Sequence, residues 1–402
     1  MPWKATDVET ERLKFVAECE KREFPFTAVC EAAGISRKTG YKILHRYRTY
    51  GVDGLKDRSH AAHEHPNRTG REIEERLVQM RREHPRWGSR KLIALLKRES
   101  PELDWPAPST ATDILKRHGL VATDLRRRRL GLRSEPFGET RHSNDTWCAD
   151  FKGWFRTRDG TRCDPLTLID AMSRYSLACR IVSKTNLEHV WLVFEQAFRE
   201  YGLPLALRSD NGPPFGSTAI GGLSKLGVRL TKLGIRIEHI EPGKPQQNGR
   251  QERFHLTLLK EAINPPRHTA RQQQSSLDRF VEEYNHVRPH EAIDFARPAE
   301  IYRASPRPFP GCLPAIVYSG RVHIRNVRRN GTIKWRGREI FVSATLIGEP
   351  IALAEVSDRL FEIQLGPVRL GLLSDEHLRV LPYRRLTYTP SWGANASAEP
   401  HE

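Results

Sequence analysis

Three acidic residues stand in surroundings that suit metal-assisted phosphoryl chemistry. Asp150 lies in Trp147-Cys-Ala-Asp150-Phe-Lys-Gly-Trp-Phe155, Asp210 in Arg208-Ser-Asp210-Asn-Gly-Pro-Pro-Phe215, and Glu252 in Pro242-Gly-Lys-Pro-Gln-Gln-Asn-Gly-Arg-Gln-Glu252-Arg. Hard divalent cations take oxygen ligands, and a pair of Mg²⁺ ions about 3.5–4 Å apart needs one shared carboxylate and one more on each ion. Any one of these acids also fits a capped turn or a surface ion pair. Asp145, Asp170, Glu238, Glu241 and Glu261 lie close by in sequence; Asp170 is a candidate support for the ligands, and Glu241 a rival third ligand.

The elements needed to position these groups are legible as patterns. On a strand, Cys148, Asp150 and Lys152 share one face, while Trp147, Ala149 and Phe151 share the other. That alternation turns Asp150 away from its aromatic neighbours and toward the edge or mouth of a sheet. Asp210 follows a short apolar strand over 205–208, where ligands tend to bind in sheets flanked by helices. Glu252 opens or sits early on a helix, with His255 and Lys260 further along it. Strands are expected over 145–156, 162–170, 175–182 and 236–240, with Asp159-Gly160 as a hairpin turn. Asn186 caps a helix ending at Gly202, and further helices are expected within 217–233 and over 276–286. Three strands followed by alternating helix and strand describe a mixed sheet covered by helices.

The rest of the chain points to a polyanion. Of 402 residues, Lys plus Arg number 66 against 49 Asp plus Glu, a net charge of +17 and an isoelectric point near 9.8. Such a surplus attracts nucleic acid and releases its counterions. A helix over 8–23, a short helix capped by Thr27, a turn at Gly34 and a basic helix capped by Ser36 form a helix-turn-helix pattern. Its second helix offers Arg37, Lys38, Tyr41 and Lys42 to the groove or the phosphates. Residues 51–70 read as a linker, its His60, His63 and His65 without cysteines nearby to make a zinc site. A second helix-turn-helix unit, winged or not, starts near Gly70, with Ile73, Leu77 and Met80 at helical spacing, and ends with a helix capped by Ser109. Arg90 and Lys91 are its candidate contacts. Arg126, Arg127, Arg128 and Arg129 make a basic hinge suited to phosphates. After a Pro-rich linker at 304–314, five strands from 321 to 365, with a hairpin turn at Asn330-Gly331, suggest a small β-barrel. Residues 388–402 are small and polar and are expected to be disordered. No run is apolar enough to span a membrane, and six cysteines without CxxC spacing fit reduced thiols in a cytoplasmic protein.

Together the motifs resemble the DDE transposase and retroviral-integrase superfamily, in particular bacterial insertion-sequence transposases with an integrase core. The residues that carry the likeness are Asp150-Phe-Lys-Gly, Ser-Asp210-Asn-Gly-Pro-Pro-Phe and Pro-Gln-Gln-Asn-Gly-Arg-Gln-Glu252-Arg-Phe-His. Arg37-Lys-Thr-Gly-Tyr41-Lys, Trp87-Gly-Ser-Arg90-Lys-Leu and Tyr284-Asn-His-Val-Arg288-Pro-His290 extend it over nearly the whole chain. The resemblance implies an RNase H-like core in which Asp150, Asp210 and Glu252 hold Mg²⁺ or Mn²⁺, two ions per site. The stretch between Asp210 and Glu252 is longer than is usual in that family, and no His/Cys zinc module of the retroviral kind is visible.

The implied organisation is a helix-turn-helix domain at 1–62, a second at 70–124, a basic linker at 125–140, a catalytic core at 141–303 and a small barrel at 315–382. The implied activity is cleavage at the ends of a mobile DNA element and strand transfer into target DNA, by a homo-oligomer in the cytoplasm. Gln247, Asn248, His255 and Lys260 are expected to position DNA near the scissile phosphate. Two other readings remain at this point: a DNA-binding regulator with an inactive core, and an RNase H-like nuclease.

Overall fold

The computed structural model describes residues 7–57, 68–121, 140–241 and 249–389. The chain divides into two units, Met1–Thr69 and Gly70–Glu402. In the first, α1 (Val8–Lys21), α2 (Phe26–Ala32) and α3 (Arg37–Tyr50) enclose Phe15, Val16, Val29, Cys30, Ile43 and Leu44. Ser36 caps α3 as its side chain accepts the Thr39 N–H at 3.2 Å. A Cβ on Gly40 would lie 2.7 Å from Cys30 Sγ, so glycine lets α2 and α3 approach closely. Two expectations shift. Pro25, not Thr27, is the N-cap of α2. The stretch after α3 is not yet linker: Gly51–Leu55 forms a 3₁₀ turn that buries Leu55 in the core, and Arg12 donates to the Leu55 carbonyl at 2.6 Å. His60, His63 and His65 lie outside the described residues.

The second unit opens with α4 (Arg71–Glu83), α5 (Ser89–Glu99) and α6 (Pro108–Arg117). Leu77, Trp87, Leu92, Leu96 and Ile114 form their core. Pro108 starts α6, with Ala107 as N-cap in place of Ser109; proline suits the first helical position because no N–H is needed there. Among described residues 68–121 no strand, and so no wing, is present.

The central sheet comprises β1 (Thr146–Phe151), β2 (Phe155–Arg156), β3 (Arg162–Asp170), β4 (Ser176–Val182), β5 (Ala206–Ser209) and β6 (Arg236–His239). Its order is β2-β3-β1-β5-β6, with β4 on β3. β3 runs antiparallel to both β1 and β4, and β5 and β6 continue from β1 in parallel. The single strand expected over 145–156 is therefore two, interrupted at 152–154 where Gly153 takes a φ of 88°. β1 lies inside the sheet, not at its edge. One face packs Trp147, Ala149 and Leu168 beneath α7 (Leu187–Tyr201) and α8 (Lys225–Lys232). The other packs Ile169 and Cys179 beneath α9 (Gly249–Leu258) and α10 (Ala270–His286). α10 begins earlier than expected because Thr269 caps it, accepting from Gln272 N–H at 3.3 Å. A short α11 (Pro298–Ile301) follows. It and the end of α10 carry the partners of the α4–α6 group: Glu283 bonds His84 at 3.0 Å and Glu300 bonds Arg98 at 2.7 Å.

The C-terminal strands are β7 (His323–Asn326), β8 (Thr332–Trp335), β9 (Arg338–Phe341), β10 (Pro350–Ser357), β11 (Leu360–Leu365), β12 (Val368–Ser374) and β13 (Arg379–Tyr388). In place of a closed barrel, the described strands pair as an open sheet, β13-β12-β11-β10-β7, and a separate hairpin of β8 and β9. Hairpin and sheet share apolar packing (Ile333, Trp335 and Ile340 with Ile351, Leu353 and Phe361) without ladder bonds. The hairpin turns at Arg336-Gly337, both at positive φ, and not at Asn330-Gly331. Asn330 instead makes a local turn, its Oδ1 accepting from the Thr332 hydroxyl at 2.7 Å. β13 extends beyond 382 and docks on the core: the Tyr388 hydroxyl accepts from Ile237 N–H at 2.7 Å and donates to Ile237 O at 3.1 Å. The Pro-rich stretch before β7 also lies on the core, with Arg307 donating to the Pro204 carbonyl at 2.7 Å.

Asp170 is a fold residue. It is fully buried and accepts from Asn144 N–H at 2.7 Å, Ser173 N–H at 2.8 Å and Ser173 Oγ at 2.6 Å. It pairs with Trp147 while Asp150 pairs with Thr167, three residues along β3, so it supports the β3–β4 turn and not the candidate ligands. Asp170→Ala orphans these donors and should lower unfolding stability by about 3 kcal/mol, read by denaturant titration. His290 is also buried; burial first, then the Lys91 cation, push its pKa down to about 3. An unfolded imidazole titrates near 6.5, so its stabilising contribution is complete above that pH and is lost as pH falls toward 3. His290→Gln should flatten this part of the acid-unfolding curve.

Candidate active site

β1 and β5 bring the first two acids level. Their parallel register pairs Thr146 with Ala206, Trp147 with Leu207 and Cys148 with Arg208. Continued by two residues, it sets Asp150 beside Asp210 at the carboxyl ends of neighbouring strands. Asp210 folds over the turn that follows, its Oδ1 accepting from Gly212 N–H at 3.2 Å. A Cβ on Gly212 would lie 3.1 Å from Asp210 Oδ2, so a larger residue there would crowd the carboxylate. Asn211 anchors the turn by donating to the Ile240 carbonyl at 2.8 Å, and His239 Nδ1 lies 3.2 Å from Asp210 O.

α9 supplies the third acid and is seated through one hydroxyl. Gln251, Phe254, His255 and Leu258 are its buried face, and Glu252 is exposed beside them. Thr167 Oγ1 donates to Asp150 O at 2.9 Å. It lies 2.7 Å from Gln251 Nε2 and 2.8 Å from His255 Nε2. A threonine hydroxyl has one proton and two lone pairs, so both side chains of α9 donate to it. That assigns the proton of His255 to Nε2 and turns the Nδ1 lone pair toward Asp150 Oδ2, 3.9 Å away. Burial, with a smaller contribution from the Lys152 cation, pushes His255 down to about 3. It is therefore a neutral positioning group at physiological pH.

Three of the other nearby acids are committed elsewhere. Asp145 accepts from Arg141 and His142 N–H groups at 2.9 and 2.8 Å. Glu238 pairs with Arg208 and Arg236, each at 2.8 Å. Glu261 holds Arg288 at 2.5 Å. Among the described residues, no three His, Cys, Asp or Glu side chains are gathered closely enough to hold a metal ion. Asp150 and Asp210 share one sheet end, and Glu252 stands on the flank of the helix above. Mutual repulsion of like charges opposes closing three carboxylates on one another. The donor set is all oxygen, which suits Mg²⁺ or Mn²⁺, and Gln251 Oε1 is a buried acceptor with no hydrogen-bond partner among the described residues.

The other sequence-derived residues are scattered. Arg37, Lys38, Tyr41 and Lys42 are exposed on α3. Arg90 is exposed on α5, 3.8 Å from Glu291, whereas Lys91 turns into a cavity. Lys260 is exposed in a π turn directly after α9. Arg126 to Arg129, Gln247 and Asn248 lie outside the described residues. Thr167 and Gln251 carried no signal as site residues. Gln251 lies one helical turn before His255, a spacing from which a shared face was readable.

Family comparisons agree with this architecture. Integrase core domain models match residues 140–245 and 233–298. Together these matches span residues 140–298. Ahead of that span, a helix-turn-helix domain model matches 11–63 and a homeodomain-like model 39–115. Over 232 residues the chain is 29% identical to the insertion element IS476 uncharacterized 39.2 kDa protein of Xanthomonas euvesicatoria, covering 56% of this chain and 63% of that one. Over 238 residues it is 27% identical to the insertion element IS407 uncharacterized 31.7 kDa protein of Burkholderia multivorans, covering 58% and 82%. The chain is also similar to the HTLV-2 integrase catalytic core domain in complex with magnesium, at 16% identity and a TM-score of 0.33, covering 41% of this chain and all of that one.

Because one hydroxyl seats α9 on β1, Thr167→Val leaves the Gln251 and His255 donors unpaired at unchanged side-chain volume. Stability should fall by about 2 kcal/mol, with Thr167→Ser restoring most of it in denaturant titrations.

Proposed function

We propose that the chain is a DNA transposase of the DDE type, a polynucleotidyl transferase that cuts at the ends of a mobile element and joins them to target DNA. The observation that carries this reading is the parallel register of β1 and β5, which sets Asp150 level with Asp210 inside an integrase core, with Glu252 on the helix packed above. Asp150, Asp210 and Glu252 would hold the metal, Mg²⁺ or Mn²⁺, two ions per site; when bound, it supplies a low-pKa water and neutralises phosphate charge. In the first step a water oxygen bonds to phosphorus and the bond to the bridging 3′ oxygen breaks, leaving a 3′-hydroxyl and a 5′-phosphate. In the second step that 3′-hydroxyl bonds to a target phosphorus and displaces the target's own 3′ oxygen. Both are in-line displacements, so one set of ligands serves both. His255 and Thr167 hold Asp150 and α9 in place, and Lys260, Gln247 and Asn248 are assigned to the DNA near the scissile phosphate.

The remaining parts are read as DNA-holding modules. Residues 1–62 present α3, with Arg37, Lys38, Tyr41 and Lys42, to the element's end. Residues 70–124 form a second binding domain with Arg90 and Lys91, and 125–140, with Arg126 to Arg129, a basic linker along phosphates. Residues 141–303 are the catalytic domain. Residues 315–382 act as a small β-sheet platform, with the β8–β9 hairpin packed on the open sheet. Pairing two DNA ends calls for a homo-oligomer. No helix among the described residues is long and apolar enough to cross a membrane, and the assigned place of action is the cytoplasm, on DNA.

A second reading, a DNA-binding regulator with an inactive core, is favoured by one observation: among the described residues no three His, Cys, Asp or Glu side chains are gathered closely enough to hold a metal ion. The two readings separate in one experiment on duplexes carrying the ends of the encoding element. Asp150→Ala, Asp210→Ala and Glu252→Ala should each abolish Mg²⁺-dependent cleavage and strand transfer, a loss of at least about 10³-fold on the scale of a removed transition-state contact, while DNA binding persists. Wild-type activity in any of the three overturns the assignment; binding without cleavage by the wild-type chain favours the regulator.

A further inference from the structure

A second cluster of charge lies on the flank of α9 away from Gln251 and His255. A cavity of about 570 Å³ opens between α5, the β3–β4 turn, α9 and the segment after α10, lined by Lys91, Arg174, Arg250, Arg253 and Arg288, with Glu291 as the one acid among the described lining residues. Among the described residues, its acids balance only part of this charge. Arg288 is held by Glu261 at 2.5 Å, and Glu291 lies nearest Arg90, at 3.8 Å. Arg250 spends its donors on the Ala171 carbonyl at 2.8 Å and the Thr140 hydroxyl at 3.2 Å, neither of them charged. Among the described residues, Lys91, Arg174 and Arg253 have no carboxylate partner, and the Arg174 Nε is buried without a hydrogen bond. Burial, with the Arg288 cation next, pushes Lys91 down to about 8, and burial, with Arg250 next, lowers Arg174 to about 10. Cations crowded out of water in this way are stabilised by an anion.

We infer that this cleft is a phosphate-binding site for the backbone of the DNA on which the proposed active site acts, built jointly by the second helical unit and the integrase core. Consecutive Cα atoms lie 3.8 Å apart, so Arg253 and Glu252 stand side by side on α9. A strand with one phosphate on the Glu252 side brings a neighbouring phosphate to the mouth of the cleft at Arg253. Lys91 contributes from α5 and Arg174 from the β3–β4 turn, so an occupied cleft ties the helical unit to the sheet. Arginine forks match phosphate oxygens, and DNA adds to the charge of an anion a continuous row of linked phosphates.

The inference rests on the transposase reading, and the experiment separates the two. Full-length protein is titrated with a labelled DNA duplex by fluorescence anisotropy over a salt series without divalent metal, for wild type, Arg253→Gln, Lys91→Gln, the double variant and Arg253→Lys. Each Gln substitution should weaken binding on the order of tenfold and reduce the slope of log affinity against log salt by about 1, and Arg253→Lys should restore most of both. Arg253 is exposed, so its variant decides the matter if Lys91→Gln lowers the thermal unfolding midpoint. A double variant with wild-type affinity and slope overturns the cleft and leaves the transposase reading standing. Calorimetric binding of inorganic phosphate that the variants abolish, with DNA affinity unchanged, overturns DNA as the source. A wild-type chain that binds no DNA overturns both.

Discussion

The parallel pairing of β1 with β5 is the constraint on which the rest of the site depends, because each strand delivers its acid through the same register. Trp147 and Leu207 interlock inside one core while Cys148 and Arg208 face the other side. A slip of one residue would move every side chain of the strand to the opposite face. Trp147 is fully buried and its indole N–H donates to Asn144 Oδ1 at 2.9 Å, so the register is held by packing and by a buried hydrogen bond at the base of β1. Asp150 and Asp210 then share one height without contact between them having to be favourable.

α9 turns that alignment into a site with two sides. Its buried face is fastened by a single hydroxyl, Thr167, to the backbone of Asp150. One flank carries Glu252 and the other Arg250 and Arg253, so a carboxylate edge and a cationic cleft are separated by little more than the width of a helix. The division answers an electrostatic problem. Acids proposed to hold a metal must not be neutralised by neighbouring arginines, and the cations proposed to hold phosphate must not be quenched by those acids. Glu261 on Arg288 and Glu238 on Arg208 show what happens to acids placed within reach of this chain's abundant cations: they become structural ion pairs.

Much of the local structure was legible because it is written in short-range chemistry. β3 begins and ends where its pattern does, and Ser36 and Asn186 cap the helices that follow them. Errors fell where a long-range contact overrode a local signal. Asn330-Gly331 reads as a hairpin, yet β7 pairs with β10, and the turn passes to Arg336-Gly337. Asp170 looked like a neighbour of the candidate ligands by sequence distance, but antiparallel pairing carries it along β3 to the far end of β1. The barrel was inferred from strand count alone, and closure is a property of pairing that no strand contains by itself.

By itself the sequence determined the identities and surroundings of Asp150, Asp210 and Glu252, the excess of positive charge and the alternation that turns Asp150 from its aromatic neighbours. These follow from residue type and from periodicities of two and about four, which act over a few residues. Tertiary structure alone decided which acids stand level, that Thr167 and Gln251 seat α9, and that Lys91 turns inward to meet Arg174 and Arg253 around one cavity. Those residues lie scores of positions apart in the chain. Their meeting depends on strand order and helix packing, which arise from the burial of whole faces and not from any local pattern.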